Sequence, residues 1–137
     1  MARPQPRFPE PDTQPFWDAT REHRLLYQVD NTTGQVVFFP RRHSPYTGTT
    51  DMSWRESAGL GTVYSYSVIR QSRHPAFKDI TPYVIAYVDL DEGFRILTNI
   101  VGVADPVNDV KIGMRVKLRW EDQESGIALP LFEPAEG

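Results

Sequence analysis

Residues 62–70 read T-V-Y-S-Y-S-V-I-R, and this stretch is the strongest β-strand signal in the chain. β-Branched and aromatic side chains favour extended backbone, and the alternating pattern here is typical of a half-buried strand. Gly59 and Gly61 stand just before it and mark a change in chain direction. The stretch therefore predicts a β-rich body with Val63 and Val68 among its packing residues.

Similar segments continue on both sides of this strand. Residues 82–90 read P-Y-V-I-A-Y-V-D-L, and an Asp-Glu-Gly turn joins them to residues 94–101 as a hairpin. Residues 115–121 alternate well, and weaker signals lie at 51–58 and 127–132. About five short strands and no further helix favour a small Greek-key barrel over a sandwich, which needs about seven strands. We predict a mainly β fold with a five-stranded OB-fold barrel and tail over residues 52–137.

The N-terminal part, residues 1–26, is predicted to be an arm followed by a helix. Four of the twelve prolines lie in residues 1–14, which indicates an extended arm. Pro15 suits the first turn of a helix and Thr13 is a candidate cap, so we expect a helix over residues 15–24.

Residues 27–51 carry the spacing of a zinc ribbon without its ligands. Asp30 and Thr33 stand where one Cys-x-x-Cys pair would lie, and Ser44 and Thr47 stand where the second would lie. The whole chain has no cysteine. Zinc takes thiolate, imidazole or carboxylate ligands, and a hydroxyl group does not ionise to supply one. We therefore predict a degenerate, metal-free hairpin and no cofactor.

A ribbon without zinc needs another source of stability, since structural zinc contributes of order 10 kcal/mol to small zinc peptides. Two sources are open. Turn hydrogen bonds from short polar side chains hold such shapes, and apolar side chains provide packing. The candidates are Asp30, Asn31, Ser44 and Thr47 for the first source, and Val36, Phe38 and Phe39 for the second.

Composition narrows the function classes. The chain has 137 residues and a net charge of −3, which disfavours nucleic-acid binding because phosphate neutralisation needs basic residues. No apolar run approaches the length of a membrane span, and the N-terminus lacks the apolar core of a secretory signal. We expect a cytoplasmic protein without a membrane or nucleic-acid partner.

Catalytic candidates are weak, and we predict no catalytic residue. His74 lies in a loop between two strong strands, where a general base is less common than a structural histidine. The serines lack the G-x-S-x-G setting, and no glycine-rich phosphate loop is present. Nothing assembles a nucleophile, a base and an orienting group.

Taken in order, short stretches resemble one family, the bacterial and archaeal OB-fold, acyl-CoA-associated proteins with an N-terminal rubredoxin-like zinc ribbon. The resemblance covers nearly the whole chain. The stretches are PFW at 15–17, LLYQ at 25–28, FPR at 39–41, SPYTG at 44–48, GTVYSY at 61–66, RHPAF at 73–77, PYVIAYVDLDEG at 82–93, LTNI at 97–100, IGMRV at 112–116 and ALPLF at 128–132.

The resemblance implies a non-catalytic accessory subunit. Such proteins associate with thiolase-fold enzymes, which carry the active site and bind most of the CoA thioester, so a hetero-oligomer is expected. The short stand-alone form fits an aldolase, a retro-aldol lyase, of steroid side-chain degradation. The lost cysteines put the family's zinc in doubt. The expected partner-binding residues are Phe16, Trp17, Arg41, Arg42, His74 and Phe77.

Three alternatives stay open at this point. The partner is a thiolase-like acyltransferase instead of an aldolase, or the chain alone is an OB-fold module for single-stranded nucleic acid or for acyl-CoA. For Phe16 and Trp17, anchoring a partner and pinning the helix to the barrel are equally open.

Overall fold

The computed structural model describes residues 4–7 and 10–135, which form two short helices and eight strands. In chain order the elements are α1 Gln14–Thr20, β1 Leu26–Asp30, β2 Val36–Val37, β3 Met52–Glu56, β4 Leu60–Ile69, α2 Pro75–Lys78, β5 Tyr83–Leu90, β6 Arg95–Ile100, β7 Arg115–Asp122 and β8 Ala128–Pro134.

Five strands close into a barrel in the order β4-β5-β6-β8-β7, which confirms the predicted mainly β class and OB-fold barrel. All neighbours are antiparallel except β6 and β8, which meet in parallel at Ile100 and Phe132. Val84, Val88 and Phe132 are fully buried inside the barrel. Gly61 has no room for a side chain, since a Cβ there would lie 2.6 Å from the carbonyl oxygen of Asp89.

A second, three-stranded antiparallel sheet has the order β2-β1-β3 and forms what we call the ribbon. Strand β3 was expected within the barrel but pairs with β1, with Gln28 opposite Trp54. Its weak alternation predicts a strand but does not say which sheet the strand joins. The division into residues 1–26, 27–51 and 52–137 stays a prediction.

Aromatic rings join the ribbon to the barrel. Phe94 lies between Tyr27 and Phe38, with ring centroids 5.0 and 4.7 Å away and nearly parallel planes. All three belong to, or pack against, one core cluster. The ribbon is therefore held against the barrel by apolar contact.

Helix α1 is shorter than predicted and ends at Thr20. His23 has φ +57°, a left-handed conformation that does not continue a helix. The Thr20 hydroxyl donates to the carbonyl of Trp17 at 2.6 Å and accepts from the backbone N–H of Ala128 at 3.2 Å. Thr13 occupies the cap position, but its side chain makes no capping hydrogen bond.

Helix α2 was not predicted, and it lies in the segment expected to be a loop. Pro75 occupies its first turn, and His74 Nδ1 accepts a hydrogen bond from the backbone N–H of Ala76 at 3.0 Å. A single turn of helix is too short for a periodic signal. Neither helix described between residues 4 and 135 is long and apolar enough to span a membrane.

Candidate functional site

Two turns of the ribbon have the same backbone geometry. The N–H of Gly34 donates to the carbonyl of Asp30 at 2.7 Å, and the N–H of Gly48 donates to the carbonyl of Ser44 at 2.9 Å. The N–H of Asp30 donates to Gln35 and that of Ser44 to Thr49, five residues onward in each case. Both glycines have φ near +75°, at 76° and 73°. The two knuckle shapes are thus present without cysteine.

The carboxylate of Asp30 joins the two turns. The side chain is fully buried and accepts hydrogen bonds from the Thr47 hydroxyl at 2.7 Å and from the backbone N–H of Thr32 at 2.8 Å. Hydrogen bonds from the side chains of Ser44 and Thr47, with backbone N–H groups, hold the pKa of Asp30 below its ordinary value. One anion therefore cross-links the turns that a metal ion joins in a zinc ribbon.

The residues at this centre do not fit zinc. Their side chains supply one carboxylate and three hydroxyls, and the carboxylate already accepts several hydrogen bonds. Within the described ranges, no three or more His, Cys, Asp or Glu side chains cluster as metal ligands. Thr33 is exposed, and its hydroxyl accepts from the backbone N–H of Gln35 instead of contacting Asp30. Three of the four predicted positions thus converge through their side chains.

An apolar cavity of about 400 Å³ lies where α1, the ribbon and the barrel meet. Phe39 and Leu97 line it while remaining 60% and 49% exposed. Its other walls are Thr13, Phe16, Trp17, Phe38, Pro40, Ile96, Thr98, Asn99 and residues 129–131.

Phe16 and Trp17, both expected to bind a partner, differ in position. Phe16 is only 7% exposed, with its ring centroid 5.0 Å from that of Trp17 and 5.9 Å from that of Phe38. Phe16 therefore pins α1 to the protein itself, and Trp17 is the half-buried ring beside it in the cavity wall.

A second cavity, of about 470 Å³, adjoins the first. Asn99 and Leu131 line both cavities, and we call the two cavities together the apolar trough. Phe77 lines the second cavity. Its contact with a partner stays a prediction. The other lining residues of this second cavity are Ile80, Pro82, Tyr83, Ile85, Ile100, Val101, Gly102, Val103, Pro106 and Glu121.

Cationic residues lie close in the chain to lining residues of each cavity. Arg41 and Arg42 follow Pro40 of the first cavity, and the buried Gln28 side chain exchanges two 2.9 Å hydrogen bonds with the backbone of Arg41. Arg73 and Lys78 lie close in the chain to a lining residue of the second cavity, and they line a separate cleft of about 520 Å³.

None of these four cations has an ion pair among residues 4–7 and 10–135. The four are Arg41, Arg42, Arg73 and Lys78, and all are exposed. In contrast, Arg95 and Arg115 each reach a carboxylate, at 2.6 and 2.7 Å. Arg41 Nε donates to the carbonyl of Phe39 at 3.3 Å, and none of the four charges is neutralised by a carboxylate of the described residues.

His74 is occupied within its own loop. Its Nδ1 caps α2, and its ring centroid lies 5.3 Å from that of Phe77. This geometry gives His74 a structural task, and its contact with a partner stays a prediction.

Sequence reasoning missed the barrel side of the trough, formed by Leu97, Asn99 and Leu131. These residues belong to the LTNI and ALPLF stretches that carried the resemblance. The sequence shows Leu97 and Leu131 as apolar residues of strands, but the alternating pattern of those strands already supplies enough apolar side chains for the barrel interior. Their meeting depends on the closure of β6 against β8, which no local pattern shows.

Two family models match this chain. The model described as "ChsH2, rubredoxin-like zinc ribbon domain" matches residues 17–46, and "ChsH2, C-terminal OB-fold domain" matches residues 54–121. A "DUF35 domain-containing scaffold protein" of Methanothermobacter thermautotrophicus is 40% identical over 80% of this chain and 90% of its own length. The chain belongs to the DUF35 family.

Two further relatives are hydratase subunits by name. A "Probable enoyl-CoA hydratase alpha subunit" of Thermomonospora curvata is 38% identical over 97% of this chain. The "3-oxo-4,17-pregnadiene-20-carboxyl-CoA hydratase alpha subunit" of Mycobacterium tuberculosis is 34% identical over 81% of it. This DUF35 chain spans only 40% and 34% of the length of these two relatives.

A solved structure described as "Ltp2-ChsH2(DUF35) aldolase" contains a chain of the same size. The similarity covers 96% of this DUF35 protein and 100% of that chain, with 36% identity and a TM-score of 0.86.

Proposed function

We propose that this DUF35 protein is a non-catalytic accessory subunit that binds and stabilises a thiolase-fold partner acting on acyl-CoA thioesters. The partner carries the catalytic residues and acts as an aldolase on steroid side-chain thioesters. The end-to-end similarity to the ChsH2(DUF35) chain of an aldolase carries this proposal, since it matches both the ribbon and the barrel.

The names of the relatives support the same role. Two are alpha subunits and one is a scaffold protein, so each name describes a part of an assembly. One of these hydratase subunits is named for a pregnadiene carboxyl-CoA, a steroid thioester. The aldolase and the steroid therefore each have a counterpart among the similar proteins.

The aromatic side chains favour a partner over a single-stranded nucleic acid. Tyr64 is half exposed on the barrel, but the Arg95 guanidinium lies 3.5 Å from the centroid of its ring. Base stacking needs an open ring surface, and here Arg95 covers one side of the ring. Arg95 is itself held by Asp89 at 2.6 Å.

Co-expression tests the proposal. The chain is produced with Ltp2, the subunit named with ChsH2(DUF35) in the matched aldolase, and with the thiolase-fold protein that co-purifies from its own host. We expect a stoichiometric complex by size exclusion with light scattering, and release of a shorter acyl-CoA from a steroid side-chain thioester by the complex only. Cleavage by the isolated DUF35 chain, or no complex with either protein, contradicts the proposal.

A further inference from the structure

We propose that the apolar trough receives one continuous apolar segment of the partner subunit, with acidic side chains toward both ends of that segment. This inference rests on the proposed function and adds to it the docking surface and the chemistry of the docked segment. The trough consists of the two cavities that share Asn99 and Leu131 in their walls.

Three of the eight large apolar side chains that are exposed among the described residues line the trough, namely Phe39, Ile80 and Leu97. A single exposed leucine or phenylalanine is ordinary on a protein surface. Phe39 and Leu97, however, line one concavity with the half-buried Trp17, and further apolar side chains continue it to Phe77. Concave apolar sites of this kind are where anchor side chains of a partner lose their water and contribute most affinity.

The trough also crosses the part of the barrel that OB-folds use for ligands. That surface belongs to the second and third barrel strands, here β5 and β6. Leu97 lies opposite Tyr87, and Asn99 lies opposite Ile85, in their antiparallel register. Tyr87 is 42% exposed and extends the apolar surface beside Leu97. The Asn99 side chain donates to the carbonyl of Val84 at 2.9 Å, which holds in place a side chain that lines both cavities.

Charge selects the class of occupant. Arg41 and Arg42 follow the lining residue Pro40 in the chain, and Arg73 and Lys78 lie on either side of the lining residue Phe77 in the sequence, although the net charge of the chain is −3. Of the lining residues described, Glu121 is the one acidic side chain, and its carboxylate accepts a hydrogen bond from Gln123. An apolar middle with cations at both ends complements a segment whose middle is apolar and whose ends are acidic.

Other occupants match this pattern less well. An uncharged polycyclic ligand gains nothing from cations at both ends. A polyanionic strand needs cations along its length, where the trough is apolar. A second copy related by a two-fold axis through the middle of the trough brings Arg41 and Arg42 toward Arg73 and Lys78 of the other copy, so that cations face cations.

The test measures the dissociation constant between this chain and the thiolase-fold subunit of the co-expression experiment. Phe39→Asp with Leu97→Asp places charges in the trough at positions already exposed, and we expect affinity to fall about 30-fold or more. Ile112→Asp is the matched control, because Ile112 is 70% exposed and lines neither cavity. We expect the control to bind within about twofold of wild type, because Ile112 lies outside the docking surface.

Charge reversal tests the acidic ends separately. Arg41→Glu/Arg42→Glu and Arg73→Glu/Lys78→Glu are each expected to lower affinity about tenfold, mainly through a slower association rate, and to weaken its salt dependence. The matched control is Arg55→Glu/Lys111→Glu, two exposed cations away from the trough with no ion pair among the described residues. The control has the same change in net charge, so an equal effect in all three pairs overturns the inference.

The remaining outcomes are also decisive. Wild-type affinity in the Phe39→Asp/Leu97→Asp variant, with a stable complex, overturns the trough as the docking surface and leaves the proposed function intact. Failure of the wild-type chain to form any complex overturns the proposed function itself. The isolated chain can also be tested for binding of a steroid acyl-CoA and for self-association. If the two substitutions abolish either of these and leave partner affinity unchanged, the inference is overturned in favour of that occupant.

Discussion

The ribbon is antiparallel and the barrel is antiparallel except between β6 and β8, but different interactions hold the two regions. The barrel is filled by apolar side chains such as Val84, Val116 and Phe132, which are fully buried. The ribbon has a two-residue strand, and a buried anion, Asp30, joins its two turns. Apolar burial is roughly additive over area, whereas a buried charge depends on every one of its hydrogen bonds. The barrel should therefore determine the global stability, whereas the turns of the ribbon should respond to the loss of a single hydrogen bond.

The largest loss of global stability is expected from the barrel interior. Phe132→Ala removes a fully buried ring where β6 and β8 meet, and such truncations cost about 3–5 kcal/mol through lost burial and a cavity. Urea denaturation measures the change. Ile112→Ala, at a position 70% exposed, is the control and should stay within about 0.5 kcal/mol of wild type. A loss below 1 kcal/mol for Phe132→Ala would mean that this end of the barrel repacks.

Asp30→Ala should loosen the ribbon while the barrel persists. The substitution leaves the N–H of Thr32 and the Thr47 hydroxyl without their acceptor in a buried site. We expect faster amide exchange at Gly34 and Gly48, with protection at Val84 and Val88 nearly unchanged, by NMR hydrogen exchange. Asp51→Ala is the control, because this carboxylate of the same ribbon is exposed and accepts a hydrogen bond from the exposed Asn31 side chain at 3.0 Å instead of joining the two turns. Uniform loss of protection would show one cooperative unit instead of two.

The stabilising effect of Asp30 should disappear in acid. Its pKa is lowered in the folded protein by the hydrogen bonds from Ser44 and Thr47, so the added stability is present above the ordinary aspartate pKa and is lost as pH falls through the folded value. Asp91 and Asp105 also have lowered pKa values, because of hydrogen bonds from Arg115 and Asn108 respectively. The difference in unfolding free energy between wild type and Asp30→Asn isolates Asp30. This difference should be constant near pH 7 and shrink below about pH 4.

These two regions also differ in how well the sequence predicts them. Alternating apolar residues predict the barrel strands, because one side of each strand must be buried. The spacing of Asp30, Thr33, Ser44 and Thr47 predicts two turns and the absence of zinc ligands. It does not show that the Asp30 carboxylate contacts the second turn, because that contact depends on the distance in space between two turns that lie fourteen residues apart in the chain. The trough was even less accessible, because Leu97 and Leu131 come from strands that meet only when the barrel closes.

A smaller effect separates two threonines of the ribbon. Thr47→Val removes the hydroxyl that donates to Asp30 at 2.7 Å, whereas Thr33→Val removes a hydroxyl that contacts only the backbone N–H of Gln35. Both variants replace threonine with valine, which has nearly the same shape. The difference between their Tm values therefore reports the hydrogen bond to the Asp30 carboxylate. We expect Thr47→Val to lower Tm by about 2–6 °C and Thr33→Val by less than about 2 °C. Equal changes in Tm for the two variants would contradict the role of Asp30 in joining the turns.

Chelation should have no effect at all, and this makes it the sharpest comparison with a zinc-bound ribbon. If the Asp30 carboxylate joins the turns, then EDTA or added zinc leaves Tm within about 1 °C of its value in plain buffer. A variant with cysteine at positions 30, 33, 44 and 47 is the control, because the two turns already have the same hydrogen-bond pattern around Gly34 and Gly48. That variant should bind one zinc ion by elemental analysis, and EDTA should lower its Tm by several degrees, since zinc binding then contributes to folding. The centre of the wild-type protein lacks the four thiolates of a zinc ribbon. Stoichiometric zinc in the wild-type protein would therefore contradict the role of Asp30, because a metal ion would then join the turns.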